Sequence, residues 1–110
     1  MTTETSRVLS TDLLAETVEP DGGSEALTTA SRVLHDASEG AFEVGVWEAG
    51  PGTDTDVEAD ELFLVLSGAG TVTFADGSVV ELRPGVLVRL REGDETTWEI
   101  TERIRKLYVI

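Results

Sequence analysis

Cysteine is absent from the 110 residues, and histidine and lysine occur once each, as His35 and Lys106. Without thiols the chain forms neither disulfides nor sulfur-ligated zinc and iron–sulfur centres. With a single imidazole, any Ser-His-Asp triad has to use His35. Long apolar runs are missing too: the longest, Leu62 to Leu66, falls far short of the roughly 20 residues that span a bilayer. Basic residues are scarce, eight against 22 acids, and the resulting charge of −14 repels phosphate backbones and anionic lipid surfaces. Neither nucleic acid nor membrane is therefore an expected partner. The opening "MTTETSRVLSTDLL" carries no basic n-region and no long apolar core, so a cytoplasmic location is expected.

What remains is enough for one core, the limit for a chain of this length. Residues 1–26 read as an N-terminal arm with room for one helical turn. Ser10 or Thr11 can cap a short helix over "TDLLAETV", Asp12 suits its first turn, and Pro20 stops it. "EPDGGSE" at 19–25 is a turn or linker. Ser-Arg-Val-Leu stands at 6–9 and again at 31–34, but four residues without a longer period make no repeat architecture.

Residues 27–110 read as β throughout. "LTTASRVLH", "AFEVGVWEA", "ELFLVLSG", "VLVRL", "TTWEI" and "RIRKLYVI" are strand-like, and turns fall at "EG", "GPG", "RPG" and "REGDE". "ELFLVLSG" is apolar on both alternating faces, as for a strand covered on both sides. "GTVTFADGSVVEL" reads as a hairpin turning at Asp76-Gly77. About eight short strands with turns every 8–12 residues indicate an all-β barrel or sandwich.

One stretch, "DTDVEADELFLVLSG", puts five carboxylates (Asp54, Asp56, Glu58, Asp60, Glu61) just ahead of a buried strand. Asp54, Asp56, Glu58 and Asp60 alternate, which on an extended chain makes one face, expected to be a solvated rim. An EF-hand is excluded, because Ala59 and Val65 stand where its glycine and bidentate glutamate belong.

Four segments in order, "GVWEAGPG" (45–52), "DELFLVLSGAGTVT" (60–73), "LRPGVLVRLREGDETTWE" (82–99) and "RKLYVI" (105–110), resemble the cupins, over about residues 30–110. The resemblance is nearest to the small cupins of the (S)-ureidoglycine aminohydrolase type. It implies a double-stranded β-helix, or jelly-roll, barrel. In that family's first motif Glu61 and Gly68 hold the glutamate and final glycine places. Its two histidine places fall on Thr55 and Val57, or on Asp54 and Asp56, depending on the gap. In the second motif Gly85 and Gly93 fit, Arg91 replaces a proline and Thr96 replaces the remaining histidine. The resemblance thus implies a cupin that has lost the imidazoles of the usual metal set, and no cofactor is expected. The alternative is an oxygen-ligated divalent metal on Asp54, Asp56 and Glu61.

From the inward places of the family, Glu61, Phe63 and Val65 should share one face, and Thr96, Trp98 and Ile100 another. The expected ligand pocket is Phe63, Val65, Trp98, Tyr108 and Trp47. Glu61 is the catalytic candidate, as general acid or base, with Thr96 as its hydrogen-bonding partner. Each of these has a plainer reading, as core packing or as a buried glutamate satisfied by Thr96 or an amide. His35 is expected to be structural, and Arg89 and Arg91 to pair with Glu92 and Asp94. The function expected is small-molecule binding, as sensor, accessory protein or metal-free enzyme of the isomerase or cyclase type. Two alternatives stand: a metal-dependent hydrolase related to ureidoglycine aminohydrolase, and a structural homodimer. The latter would pair through the N-terminal arm or through an edge strand ending at Ile110.

Overall fold

The computed structural model describes residues 7–110. The first six residues of the expected arm, including the Ser6 that opens the Ser-Arg-Val-Leu repeat, lie outside the described residues. Eight strands follow: β1 (Glu19–Pro20), β2 (Ala30–His35), β3 (Val44–Ala49), β4 (Gly52–Val57), β5 (Glu61–Phe74), β6 (Val79–Leu82), β7 (Leu87–Leu90) and β8 (Glu95–Val109), with a 3-10 turn at Ala37–Glu39. All ladders are antiparallel. The fold is the expected all-β jelly-roll barrel.

Two long strands organise it. β5 and β8 pair with each other along almost their whole length, from Leu62 opposite Val109 to Phe74 opposite Thr96. The first half of β5 also pairs with β7 and its second half with β6. β8 pairs with β4 through 95–100 and with β3 through 104–109. "ELFLVLSG" and "GTVTF" are thus one strand, as are "TTWEI" and "RIRKLYVI". Register shifts between Val65 and Gly70 bend the β5/β8 ribbon and let its two halves serve both walls of the barrel. Gly68 makes the bend with φ +94, and a Cβ there would overlap the Arg103 carbonyl oxygen. Gly68→Ala is accordingly expected to cost more than about 2 kcal/mol in urea denaturation. A loss within about 0.5 kcal/mol would show that the bend is not constrained there.

The arm holds the one turn it has room for, within 11–18, Ala15 N–H to Asp12 O at 3.1 Å. It goes no further because Arg105 donates to the Leu13 carbonyl at 2.8 Å and Glu16 pairs with Arg32, laying the segment against the barrel. Two expectations change. "ELFLVLSG" is not covered on both sides, since Phe63 and Val65 are buried but Leu62 is 46% exposed. The strand ending near Ile110 is no edge, because Val109 sits between Val44 and Leu62. The Asp76-Gly77 hairpin forms as expected, closed by Gly77 N–H to Phe74 O at 2.9 Å.

Phe63, Val65, Val72, Leu82, Leu90, Trp98, Ile100 and Ile104 form the core, and the inward faces of β5 and β8 meet there as the alternation requires. Among the described residues no helix is long and apolar enough to cross a membrane.

Candidate functional site

One open end of the barrel holds a cavity of ≈ 320 Å³, bordered by Trp47, Trp98, Tyr108 and Lys106, by the carboxylates of Asp21, Glu43, Asp54, Asp56, Glu58 and Glu61, and by smaller groups. Of the expected pocket residues, Trp47, Trp98 and Tyr108 border it. Phe63 and Val65 do not: they are 0% and 1% exposed and belong to the core beneath.

The centre of the site is Lys106. Its position on β8 opposite Trp47 on β3 and Val65 on β5 turns it inward, as for Phe63 and Trp98. A buried ammonium needs a counter-charge. Glu61 at the start of β5 supplies it, Oε2 lying 2.6 Å from Nζ, with the two side chains 17% and 7% exposed. Nζ also lies 4.3 Å from the Trp47 ring centre, 4.4 Å from Phe63 and 5.0 Å from Trp98, within cation–π range of all three. The expected Glu61–Thr96 pairing is therefore replaced by a Glu61–Lys106 ion pair. Phe63 and Trp98 pack at 5.6 Å, as do Trp47 and Trp98, so the three rings hold one another in place.

Thr96 has a different carboxylate. Thr96 and Trp98 are 3% and 4% exposed, and a buried hydroxyl and indole N–H each require an acceptor. Glu58 provides it. β4 ends at Val57, and Glu58 is fixed by backbone hydrogen bonds to Asp94 (2.8 Å) and Gly93 (2.9 Å) in the turn before β8. Its Oε2 accepts from Thr96 Oγ1 at 2.6 Å and from Trp98 Nε1 at 3.0 Å. Burial pushes the Glu58 carboxyl above the ordinary range, against the lowering effect of those two hydrogen bonds.

A third polar pair closes the arrangement. Gly45 leaves the space that the Tyr108 ring fills, and the phenol donates to Glu43 at 2.8 Å. Burial and the neighbouring Glu43 raise the Tyr108 hydroxyl well above its usual value, so it remains a donor.

The acidic stretch thus divides three ways. Asp54 and Asp56 stay at the rim, where Asp54 accepts from Ser24 at 2.6 Å and that bond holds its carboxyl below the ordinary range. Glu58 and Glu61 turn inward to different partners, and Asp60 points away to cap the Glu92 amide at 2.9 Å. Glu58 is the residue the alternation misplaced. The signal that would have found it is the Trp98 indole N–H, which shares an inward face with Thr96 on β8: the reading of the strands gave Thr96 to Glu61 and left that N–H without an acceptor.

Asp54, Asp56 and Glu61 were the candidate ligands of a metal. Among the described residues no three carboxylate or imidazole side chains converge to hold an ion. Glu61, in the family's glutamate place, is already bonded to an internal ammonium, so these residues do not fit the metal that cupins generally carry. Elsewhere, His35 stacks on Phe42 at 5.0 Å outside the cavity. Arg89 and Arg91 are exposed and, among the described residues, form no ion pair with Glu92 or Asp94. Arg91 meets Asp94 through its backbone, its N–H donating to the Asp94 carboxylate at 2.9 Å and its carbonyl accepting from the Asp94 N–H at 3.0 Å.

Comparison with known proteins agrees with this architecture. The model of a family described as the EutQ-like cupin domain matches residues 37–108. Among solved structures, the EutQ protein of Clostridium difficile superposes with a TM-score of 0.76 at 22% identity, covering 91% of this chain and 83% of that one. The polyketide cyclase RemF of Streptomyces resistomycificus gives a TM-score of 0.70 at 23% identity, covering 91% and 76%. Ectoine synthase of P. lautus gives 0.70 at 19%, covering 82% and 67%. No functionally curated protein matches.

Proposed function

This chain belongs to the EutQ-like cupin family, and from that premise we propose that it is a cytoplasmic, small-molecule-binding cupin whose barrel cavity performs metal-independent acid–base chemistry. The observation that carries this reading is the Glu58 carboxyl. It is half-buried, raised above its ordinary range, hydrogen-bonded to Thr96 and Trp98, and open to the cavity. A carboxyl that burial holds protonated to higher pH than an exposed one, and that faces a cavity, is suited to give and take a proton there. Proton transfer is thus assigned to Glu58, with Thr96 as its hydrogen-bonding partner. Glu61 is assigned a positioning role with Lys106, and Tyr108, whose hydroxyl donates to Glu43, borders the same cavity.

Isomerisation or ring closure suits this set, because either needs one proton moved and a partly apolar enclosure. RemF is a polyketide cyclase, but at 23% identity that likeness carries only the fold, and the chemistry proposed rests on this chain's own groups. The finer kinship with ureidoglycine aminohydrolase and its metal-dependent hydrolysis is the weaker reading, since Asp54, Asp56 and Glu61 do not converge. A homodimer belongs to the proposal as well, supported by Leu62 and Leu87, 46% and 69% exposed on one face of paired strands. Sedimentation that stays monomeric across a concentration series would remove it.

The test is a thermal-shift screen of small hydroxy, oxo and amino metabolites against the wild type and Glu58→Gln. A ligand that stabilises the wild type and loses at least about tenfold in affinity in the variant supports the reading. Hits that bind both equally would refute the role of Glu58.

The pH dependence of folding checks the same group. Because its folded pKa is raised, Glu58 contributes stability that is present below the unfolded value and lost as pH rises through the folded one. Glutamine cannot ionise, so the melting temperature of Glu58→Gln is expected to gain on the wild type as pH rises across that window. A pH-independent difference would mean that the carboxyl is not perturbed.

A further inference from the structure

We propose that Lys106 is a tethered cation: the box formed by Glu61, Trp47, Phe63 and Trp98 is a primary-alkylammonium site whose resident occupant is the chain's own lysine. The box has the two parts by which an ammonium is recognised, a carboxylate at 2.6 Å and aromatic faces at 4.3, 4.4 and 5.0 Å. Its carboxylate stands in the glutamate place of the motif that in other cupins binds metal, and here an ammonium satisfies that carboxylate. A metal ion would need several sulfur, imidazole or oxygen donors according to its softness, and three aromatic rings offer none. The ammonium has three donors, of which Glu61 takes one, and Lys106 borders the cavity. A ligand's carbonyl oxygen can take another, so the fixed charge would orient the ligand with that oxygen toward Lys106 and its proton-exchanging atom toward Glu58. Lys106 is in this sense a positioning residue. The inference deepens the metal-free reading of the same site.

The test uses no metabolite, so its failure is distinguishable from failure to find a ligand. Lys106→Ala removes the atoms from Cγ to Nζ, and n-propylammonium is the molecule that replaces them. The variant is expected to melt about 10 °C or more below the wild type. Millimolar n-propylammonium should restore most of that loss saturably and return the tryptophan emission toward the wild-type maximum. Neutral 1-propanol and Mn²⁺ should do neither, and Mn²⁺ should leave the wild type unshifted. Rescue by 1-propanol to the same extent would overturn the proposal, reducing the box to an apolar cavity. Rescue by Mn²⁺, or a Glu61-dependent Mn²⁺ shift in the wild type, would overturn it in favour of a metal site. If Lys106→Ala does not fold, Lys106→Met keeps the volume without the charge. A melting temperature and emission equal to the wild type would then overturn the proposal, and a loss in both would support it.

Discussion

Glu61→Leu is expected to cost about 3–5 kcal/mol of folding stability, because it leaves the Lys106 ammonium buried without its carboxylate. The loss is not the net worth of the pair. Desolvating two ions offsets most of their attraction, and the variant keeps one half of that cost while losing the compensation. Lys106→Met is expected to cost about as much for the mirror-image reason. The double variant Glu61→Leu/Lys106→Met should recover most of either loss, since Leu and Met fill similar volumes among Trp47, Phe63 and Trp98. Urea denaturation of the four proteins gives the coupling directly. Single losses below about 1 kcal/mol, the range of exposed pairs, would mean that the pair is solvated in solution.

Phe63→Ala is expected to remove about 3–5 kcal/mol, at 0% exposure the upper end for a core residue. Its effect should reach beyond stability. The ring packs 5.6 Å from Trp98 and 4.4 Å from the ammonium, so its loss frees both. Near-ultraviolet circular dichroism of the folded variant should lose intensity in the tryptophan bands, and Glu58, which depends on the Trp98 N–H, should lose its fixed geometry. A variant that is destabilised but keeps the tryptophan signal would show that Trp47 and the Glu58 hydrogen bond hold Trp98 without Phe63.

Much of this architecture is visible in the chain before it folds. Alternation grouped Phe63 with Val65 and Trp98 with Ile100, the cupin resemblance implied that those faces point inward, and Asp76-Gly77 marked the hairpin; face sharing and turn are local consequences of strand periodicity and turn chemistry. The site was legible in its aromatics and misread in its charges. Lys106 stands out in the sequence only as the single lysine and carries no site role there, since a lysine near the end of a strand is ordinarily solvated, and nothing local says that its register opposite Val65 and Trp47 turns it inward. Glu58 followed the alternation of Asp54 and Asp56 only on paper. β4 ends one residue earlier, and the turn holding Gly93 and Asp94 redirects the side chain. Both depend on which strands become neighbours, a long-range property that periodicity does not carry.

Lys106 is the only lysine, and this makes the central claim directly observable. Protein labelled with ¹⁵N- and ¹³C-lysine gives one side-chain spin system. The barrel described above predicts a slowly exchanging ammonium with cross-relaxation to ring protons of Trp47, Phe63 and Trp98. Its Cε protons should be shifted upfield by the ring faces, and the pattern should change in Glu61→Gln. A rapidly exchanging ammonium at free-lysine shifts, unaffected by Glu61→Gln, would contradict the internal cation and the site built around it.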